Sequence, residues 1–343
     1  MKPIIYLSLF FLCFIGCMPP NVIEPIDGEL PPTTIENEVF ASELNSPVGI
    51  ASLGGLGVFV AEAGTGNNDG QVTFINKKGE KFPIITNFPS VRRPDGNIEG
   101  TTHLGINRGN LWIVNGVSGL LYRFSLRDFD IDQLPVTADQ VPSEDIRTFI
   151  LDFDFENDTD DSNIYNLTFD FRGNIYIADS GANAIIKRDR DGKLSVFIEL
   201  PLIPNPTSVG GPTVEPVPTG IVFNKDRFFV CTFLGFPFPP DAARIYEIDL
   251  NGNIIEFQDG YNGLIDIGQP FFHRNLFALQ LGSFGEMGIV PNSGSLVLAT
   301  ADGPVTVADG LNFPNGIGFL GSNEVLVSSL LDGNIVKISI EEK

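Results

Sequence analysis

Few side chains in this chain of 343 residues could catalyse acid–base chemistry. Only two are histidines, His103 and His273. A histidine can act as a general acid or base near neutral pH, because its ordinary pKa lies in that range. We expect His273 to lie in a surface turn. His103 is therefore the candidate for acid–base chemistry, with a hydrogen-bonded structural histidine as the alternative.

His103 belongs to a short phrase that recurs six times, at a spacing of about 50 residues. Copies occupy residues 46–50, 101–105, 164–167, 217–221, 263–267 and 313–317. The residue before the glycine of the phrase, or before its equivalent, is in turn Val48, His103, Tyr165, Thr219, Ile265 and Asn315. Such self-similarity predicts a β-propeller with one four-stranded sheet per repeat.

In a propeller, residues at equivalent positions of the repeats gather around one mouth of the central channel. The candidate ligand-binding residues are therefore His103, Tyr165, Thr219 and Asn315. Asp266 lies next to Ile265 and adds the one carboxylate of this ring. Two environments are open for the mouth, a polar water-filled channel and a metal site that uses Asp266 and Asn315.

Short apolar runs such as 58–61, 111–114 and 175–178 supply the strands. Successive side chains of a strand point to opposite faces, so both faces of these strands are apolar and must be covered. No helical periodicity is present to cover them, and stacked sheets do so in a propeller. The sequence thus predicts an all-β, six-bladed β-propeller.

The last repeat ends too early for a fourth strand. Residues 39–47 match residues 305–314 in position and composition, so residues 37–45 are predicted to supply the missing outer strand of the sixth blade. The last blade would then be closed by an N-terminal strand, which leaves no open seam between the first and last blades.

The N-terminus has the pattern of a secretory signal. Lys2 is followed by an apolar stretch at 4–15, and Phe-Ile-Gly-Cys at 14–17 is similar to a bacterial lipobox. We predict a signal peptide at 1–16, a lipidated Cys17 that begins a tether at 17–36, and the propeller at 37–343. The predicted location is the cell envelope, with a lipid anchor as the only membrane contact.

Charge and cysteine content narrow the possible partners. A net charge of −22 disfavours nucleic acid, whose phosphates bind clusters of lysine and arginine. Cys231 is the only cysteine in the predicted propeller, so no disulfide can form within it. Its strand pattern predicts a buried small hydrophobic residue. We expect a monomer that binds a small molecule or a protein.

An acidic run at 152–161 suggests calcium at first sight. It lacks the glycine and the final glutamate of an EF-hand loop, and is predicted to be a solvated loop. Long inter-strand segments at 201–218 and 236–240 are predicted to pack on the rim or to form a lid or partner surface.

Residues 233–240 read Phe-Leu-Gly-Phe-Pro-Phe-Pro-Pro and resemble the proline–aromatic loop of the ScyD/ScyE family. Residues 173–181 are similar to an NHL repeat, and the resemblance to the family covers about 37–340. The second and fourth repeats depart from the family pattern, with Thr102-His103-Leu104 for Pro-His-Asp and Cys231-Thr232-Phe233 for Gly-Glu-Leu. The family implies an exported six-bladed propeller, an accessory role near an exported metabolite, and no established chemistry.

Gluconolactonase-like propellers, a related six-bladed group, hold calcium in the channel with Glu, Asn and Asp oxygens. Calcium takes six to eight oxygen ligands, and the predicted ring offers few. The favoured prediction is a lipid-anchored propeller that binds a ligand, with no committed cofactor. The alternative is a calcium-dependent lactonase with Asp266 and Asn315 as ligands and His103 as the acid or base.

Overall fold

The computed structural model describes residues 33–127, 134–270, 276–285, 288–321 and 323–342. Thirty-one strands run through this part of the chain, with one short α-helix, α1 (Arg147–Leu151), and 3-10 turns at Gly54–Leu56 and Ala138–Gln140. Six sheets of at least four strands form the six blades of a β-propeller.

In chain order, the strands are β1 (Thr33–Ala41), β2 (Pro47–Ser52), β3 (Gly57–Glu62), β4 (Gly70–Asn76), β5 (Lys81–Phe88), β6 (Val91–Arg92), β7 (Ile98–Glu99), β8 (Thr101–Asn107), β9 (Asn110–Asn115), β10 (Leu120–Ser125), β11 (Val136–Thr137), β12 (Ser143–Asp145), β13 (Ile164–Phe169), β14 (Ile175–Asp179), β15 (Ala184–Arg188), β16 (Leu194–Glu199), β17 (Ile203–Pro204), β18 (Thr213–Val214), β19 (Pro218–Asn224), β20 (Arg227–Thr232), β21 (Ala243–Asp249), β22 (Ile254–Tyr261), β23 (Leu264–Gly268), β24 (Leu276–Gln280), β25 (Phe284–Gly285), β26 (Gly288–Ile289), β27 (Gly294–Thr300), β28 (Gly303–Leu311), β29 (Pro314–Phe319), β30 (Glu324–Ser329) and β31 (Asn334–Glu342).

Each blade is antiparallel and begins with its innermost strand. From inside to outside the blades are β2-β3-β4-β5, β8-β9-β10-β12, β13-β14-β15-β16, β19-β20-β21-β22, β23-β24-β27-β28 and β29-β30-β31-β1. Strand β11 adds to the outside of blade 1 in parallel orientation. Neighbouring inner strands contact one another all the way around, from β2 to β29 and back to β2. The predicted six-bladed fold is therefore confirmed.

The sixth blade is closed by the N-terminal strand, as predicted. Strand β1 pairs antiparallel with β31 along its whole length. It spans Thr33–Ala41 rather than 37–45, so it begins inside the segment predicted to be the tether. Ile35 packs against the hydrophobic cluster of blades 5 and 6, which gives this strand an apolar anchor.

The strands in the middle of each blade are buried on both faces, because neighbouring sheets stack on both sides of them. In β9, Leu111 and Ile113 pack toward blade 1, whereas Trp112 and Val114 pack toward blade 3. Burying an aliphatic side chain of this size contributes about 1.5–3 kcal/mol. The continuous apolar runs of the sequence therefore follow from blade stacking. No helix in the described ranges is both apolar enough and long enough to cross a bilayer.

Candidate functional site at the channel mouth

A β-bulge lies at the start of every inner strand. The pairing with the second strand shifts register just after the first residue of the inner strand in all six blades. A bulge adds one residue to a strand and turns the side chains beside it. Two successive side chains of each phrase are thereby placed next to the channel axis.

These side chains form two rings. The first ring consists of Val48, Thr102, Tyr165, Thr219, Ile265 and Asn315, and the second ring of Gly49, His103, Asn166, Gly220, Asp266 and Gly316. Pairing of Thr101 with Asn115 and of Leu104 with Ile113 puts His103 in the second ring. The predicted place of His103 in the first ring was wrong by one residue, because the prediction aligned Leu104, and not His103, with the glycines of the other phrases.

One hydrogen bond of the first ring crosses the channel. The Tyr165 hydroxyl in blade 3 donates to Asn315 Oδ1 in blade 6, at 2.7 Å. Tyr165 is half-buried and Asn315 is buried. Burial raises the pKa of Tyr165, and the charge of Asp266 raises it further. The phenol thus stays protonated and remains a hydrogen-bond donor at neutral pH.

Asp266 is the centre of the second ring. Its Oδ1 accepts hydrogen bonds from Asn166 Nδ2 at 2.9 Å and from the Ile267 amide at 2.8 Å, and its Oδ2 accepts one from the Ile317 amide at 2.8 Å. The carboxylate is buried, and its three hydrogen-bond donors come from blades 3, 5 and 6. Each of these partners donates an N–H, so both oxygens of the buried carboxylate have hydrogen-bond partners.

His103 lies beneath Tyr165 and faces Asp266 across the axis. Its Nδ1 is 2.9 Å from the Tyr165 carbonyl oxygen, which can only accept, so we assign the proton to Nδ1. Its Nε2 is 3.5 Å from Asp266 Oδ2 and has no hydrogen-bond partner in the described chain. The Tyr165 ring covers the imidazole at a centroid distance of 4.9 Å. A proton on Nε2 would therefore pair with the Asp266 carboxylate.

Small residues in the second ring leave room for these side chains. A Cβ at Gly49 would come within 2.9 Å of the His103 ring, and one at Gly316 would lie 2.1 Å from the Val48 carbonyl oxygen. Glycine at these positions lets adjacent inner strands approach closely enough for His103 and Asp266 to meet across the axis.

Thr219 is placed differently from Tyr165 and Asn315. Its hydroxyl donates to the Leu264 carbonyl at 2.7 Å and lies 3.6 Å from Cys231 Sγ, and the residue is buried. It therefore links blades 4 and 5 and has no donor left for a ligand. Cys231 is buried as predicted, and burial raises the pKa of its thiol, so it is not a reactive nucleophile.

The candidate calcium ligands do not fit that ion. Asp266 already accepts three N–H donors, and Asn315 Oδ1 accepts the Tyr165 hydroxyl. No group of three or more His, Cys, Asp or Glu side chains suited to a metal occurs in the described ranges. In the acidic run, Asp158 accepts the Asp160 amide, an ordinary loop hydrogen bond. His273 lies outside the described residues.

A cavity lies on the same face as the channel mouth, where the second and third strands of blades 4 and 5 are connected. It has a volume of about 130 Å³, and we call it the aromatic cavity. Its lining residues are Phe233, Phe238, Pro239, Pro240, Asn262, Gly263, Ser283 and Phe284. Phe233 and Tyr165 both pack against the hydrophobic cluster of blades 5 and 6 that contains Ile265.

The loop at 236–240 was predicted to pack on the rim or form a lid, and the structure places it in the cavity wall. Phe284 was missed. It belongs to the hairpin of β25 and β26, which is peculiar to blade 5, so no repeat pattern marks it.

No family of known proteins matches this sequence, and no curated protein matches it either. Membership of the ScyD/ScyE family is therefore not confirmed. Solved structures of similar shape are found. A streptogramin B lyase is 15% identical with a TM-score of 0.53, over 90% of this chain and 98% of that one.

A gluconolactonase from Xanthomonas campestris is 9% identical with a TM-score of 0.56, over 92% and 96% of the two chains. A luciferin-regenerating enzyme is 8% identical with a TM-score of 0.58, over 91% and 97%. The chain has the fold of these propellers. At such low identity the likeness shows the fold alone.

Proposed function

We propose that this propeller binds a small molecule at the channel mouth, with the loops of blades 4 and 5 forming part of the site. The observation that carries the proposal is the hydrogen bond that spans the axis between the half-buried Tyr165 and the buried Asn315. Ligand sites commonly combine a mostly apolar lining with a few fixed polar groups. Val48 and Ile265 supply the apolar part of the first ring.

The charges of the first ring and of the whole chain favour a neutral ligand. The first ring carries no charged side chain, and the whole chain has a net charge of −22. A neutral ligand avoids the cost of leaving a charge without a counterion in this mouth. A protein ligand would contact the same face through the loops at 201–217 and 233–242.

The test is ligand-induced stabilisation in a panel of neutral sugars, lactones and aromatic alcohols. A ligand at one hundred times its Kd stabilises the folded state by about 2.7 kcal/mol. Tyr165→Phe should weaken binding of any hit at least five-fold, because it removes the donor to Asn315. Tyr246→Phe, in the third strand of blade 4, is the matched control and should bind normally. If both variants bind alike, the channel mouth is not the site.

A second candidate function is catalysis at the same mouth. The contact between His103 Nε2 and Asp266 favours it, since an imidazole paired with a carboxylate can move a proton. Propellers of similar fold include a lyase and a gluconolactonase. Because Asp266 and Asn315 do not fit calcium, this candidate uses His103 without a metal step.

Turnover of lactones by the purified chain tests this candidate. His103→Gln should abolish turnover while a ligand found in the panel still binds, since the Tyr165 hydroxyl and Asn315 remain. A chelator should leave both turnover and the melting temperature unchanged. Turnover that survives His103→Gln, or that disappears with the chelator, would remove the candidate in this form.

We further propose that the protein is exported and held in the cell envelope by lipid on Cys17. Support comes from the pattern of Lys2, the apolar stretch at 4–15 and the cysteine at position 17. These residues lie outside the described part of the chain. The proposal leaves the propeller itself a monomer without membrane contacts.

A further inference from the structure

We propose that the aromatic cavity is a subsite for one neutral, planar, apolar ring of the ligand. The inference rests on the proposed function, because it assigns a chemical class to part of that ligand. Its walls are rings of phenylalanine and proline from the loop after β20 and from the hairpin of β25 and β26.

The phenylalanine rings are arranged as a wall rather than dispersed in the core. Phe238 and Phe284 stack at a centroid distance of 4.4 Å with 7° between their planes, and Phe233 meets Phe284 edge-on at 5.7 Å. Phe236 stands edge-on to Phe238 and is 68% exposed. Aromatic rings prefer stacked and edge-on partners, and this wall offers both geometries to an incoming ring.

Size limits the occupant to a single ring. The cavity volume of about 130 Å³ is close to the engineered apolar cavity of about 150 Å³ that accepts benzene. The remainder of the ligand would then extend out of the cavity toward the channel mouth.

The lining also excludes charge. None of the eight lining residues is ionisable, so a charged substituent would enter without a partner. The Ser283 side chain is exposed at the edge, and the Asn262 Oδ1 accepts the Asp241 amide at 3.2 Å. A hydroxyl or carbonyl on the ring could reach Ser283, whereas a charged group would find no counterion among the lining residues.

Gly263 joins the cavity to the inner strand of blade 5. Its φ of +34° and its position against Phe233, where a Cβ would lie 3.1 Å from the ring, place that ring directly beside the start of β23. Strand β23 carries Ile265 of the first ring and Asp266 of the second. A ring in the cavity is therefore held next to the mouth.

The experiment compares three probes that share one ring, namely benzyl alcohol, benzoate and benzylamine. Binding to the full chain in detergent is measured by saturation-transfer NMR. Two salt concentrations are used, because high salt screens the long-range attraction of benzylamine to the acidic chain and leaves binding in the cavity. We expect benzyl alcohol to bind at least ten-fold more tightly than either charged probe at high salt. Equal binding of the three probes would overturn the proposal.

Three variants locate the binding. Phe284→Leu should weaken benzyl alcohol binding at least ten-fold, and Ser283→Trp should block it by filling the edge, where the exposed side chain leaves folding intact. Phe171→Ala is the matched control, since Phe171 is 64% exposed in the hairpin between β13 and β14 at the opposite end of the channel. Unchanged binding in Ser283→Trp, or an equal loss in Phe171→Ala, would contradict the assignment.

Failure of this subsite can be told apart from failure of the proposed function. If the ring probes do not bind while a panel ligand binds in a Tyr165-dependent way, the subsite is wrong and the function stands. If ring probes bind in the cavity but Tyr165→Phe changes nothing for any ligand, the subsite stands and the channel mouth is wrong.

Discussion

Asp266 determines the arrangement at the centre of the channel. One buried carboxylate accepts hydrogen bonds from the side chain of Asn166 and from the backbone amides of Ile267 and Ile317. These donors belong to three blades, so the residue acts as a cross-link between them. Burying a charge is costly unless hydrogen bonds compensate it, and in this ring they do.

Asp266→Asn tests this role. Asparagine has one oxygen where aspartate has two, so its NH₂ group must face an N–H that Asp266 accepts. At least one buried N–H donor is then left without an acceptor. We expect a loss of about 3–5 kcal/mol in the free energy of unfolding, the range for breaking a buried charged interaction. Urea denaturation measures it. Asp302→Asn, an exposed position in the turn before β28, should change stability by less than about 0.5 kcal/mol. A small effect at Asp266 would mean that the network tolerates its loss.

The buried tyrosines predict a fall in stability at high pH. Burial raises the pKa of Tyr165, and it raises the pKa of Tyr176 to about 12. In the unfolded chain tyrosine titrates near pH 10, so above that pH the unfolded state loses protons that the folded state keeps. The contribution of these tyrosines to the free energy of unfolding is therefore fully present below about pH 10, and it is lost as the pH rises above that value. Chemical denaturation between pH 8 and 11 measures the decline, and Tyr165→Phe should make it less steep. A steeper or unchanged decline in that variant would argue against burial of the phenol.

For single residues, the sequence predicted which side chains lie close together better than it predicted what each side chain contacts. Tyr165, Asn315 and Asp266 were expected near one mouth, and they are there, because a repeat position maps to a place around the axis. Thr219 occupies an equivalent position, yet its hydroxyl turns to a neighbouring blade. His103 was misplaced by one residue, because the register of its phrase depends on a bulge, and aligning Leu104 with the glycines of the other phrases does not reveal it.

At the scale of the elements, the repeated phrase specifies how closely the inner strands approach. Gly316 lies where a Cβ would be 2.1 Å from the Val48 carbonyl oxygen of the neighbouring blade. Ser328 fixes the same seam, since its hydroxyl donates to that carbonyl at 2.6 Å. The phrase therefore recurs because each inner strand must fit against the next around a narrow channel.

Gly316→Ala should separate blades 6 and 1. The added methyl group cannot fit without moving backbone, and overpacking of this kind costs about 1–3 kcal/mol or more. Thermal unfolding measures it. Gly55→Ala is the control, because nothing lies within 4 Å of a Cβ there and the residue is exposed. Similar melting temperatures for the two variants would show that the inner strands can move apart enough to accept a methyl group.

The closing strand offers a second test. Ile35 packs against the cluster of blades 5 and 6, whereas Val39 on the same strand is 60% exposed. Ile35→Ser should lower stability by about 1–3 kcal/mol through lost apolar burial, and Val39→Ser should have almost no effect. Comparing their denaturation midpoints checks whether β1 holds blade 6 closed. Two equally stable variants would contradict that role.

The strand's existence was predictable from the missing fourth strand of the last repeat, but its limits were not. Pairing with β31 extends to Thr33 because β31 itself continues to Glu342. The sequence of residues 33–36 does not indicate how long the partner strand is, so the start of β1 could not be predicted from it.

At the scale of the molecule, the chain enters at the face opposite the site. The inner strands begin at the channel mouth, and alternation along β29, β30, β31 and β1 puts the start of β1 at the other end. Thr33 therefore lies away from Tyr165 and from the aromatic cavity. A lipid anchor preceding Thr33 would present the site toward the solvent rather than the bilayer.

This arrangement predicts that anchoring and binding are independent. The segment from Cys17 to Thr33 can span at most about 55 Å. Several acyl chains on Cys17, each contributing about 0.8 kcal/mol per buried CH₂, would hold the protein on the membrane. Cys17→Ser should move it from the membrane fraction to the soluble fraction, and ligand affinity should remain within about two-fold because the mouth faces away. Fractionation and a binding isotherm on both forms measure this. Cys231→Ser, at a buried position, should stay with the membrane. Membrane retention of Cys17→Ser would rule out the lipid anchor, and a large change in affinity would place the site near the bilayer.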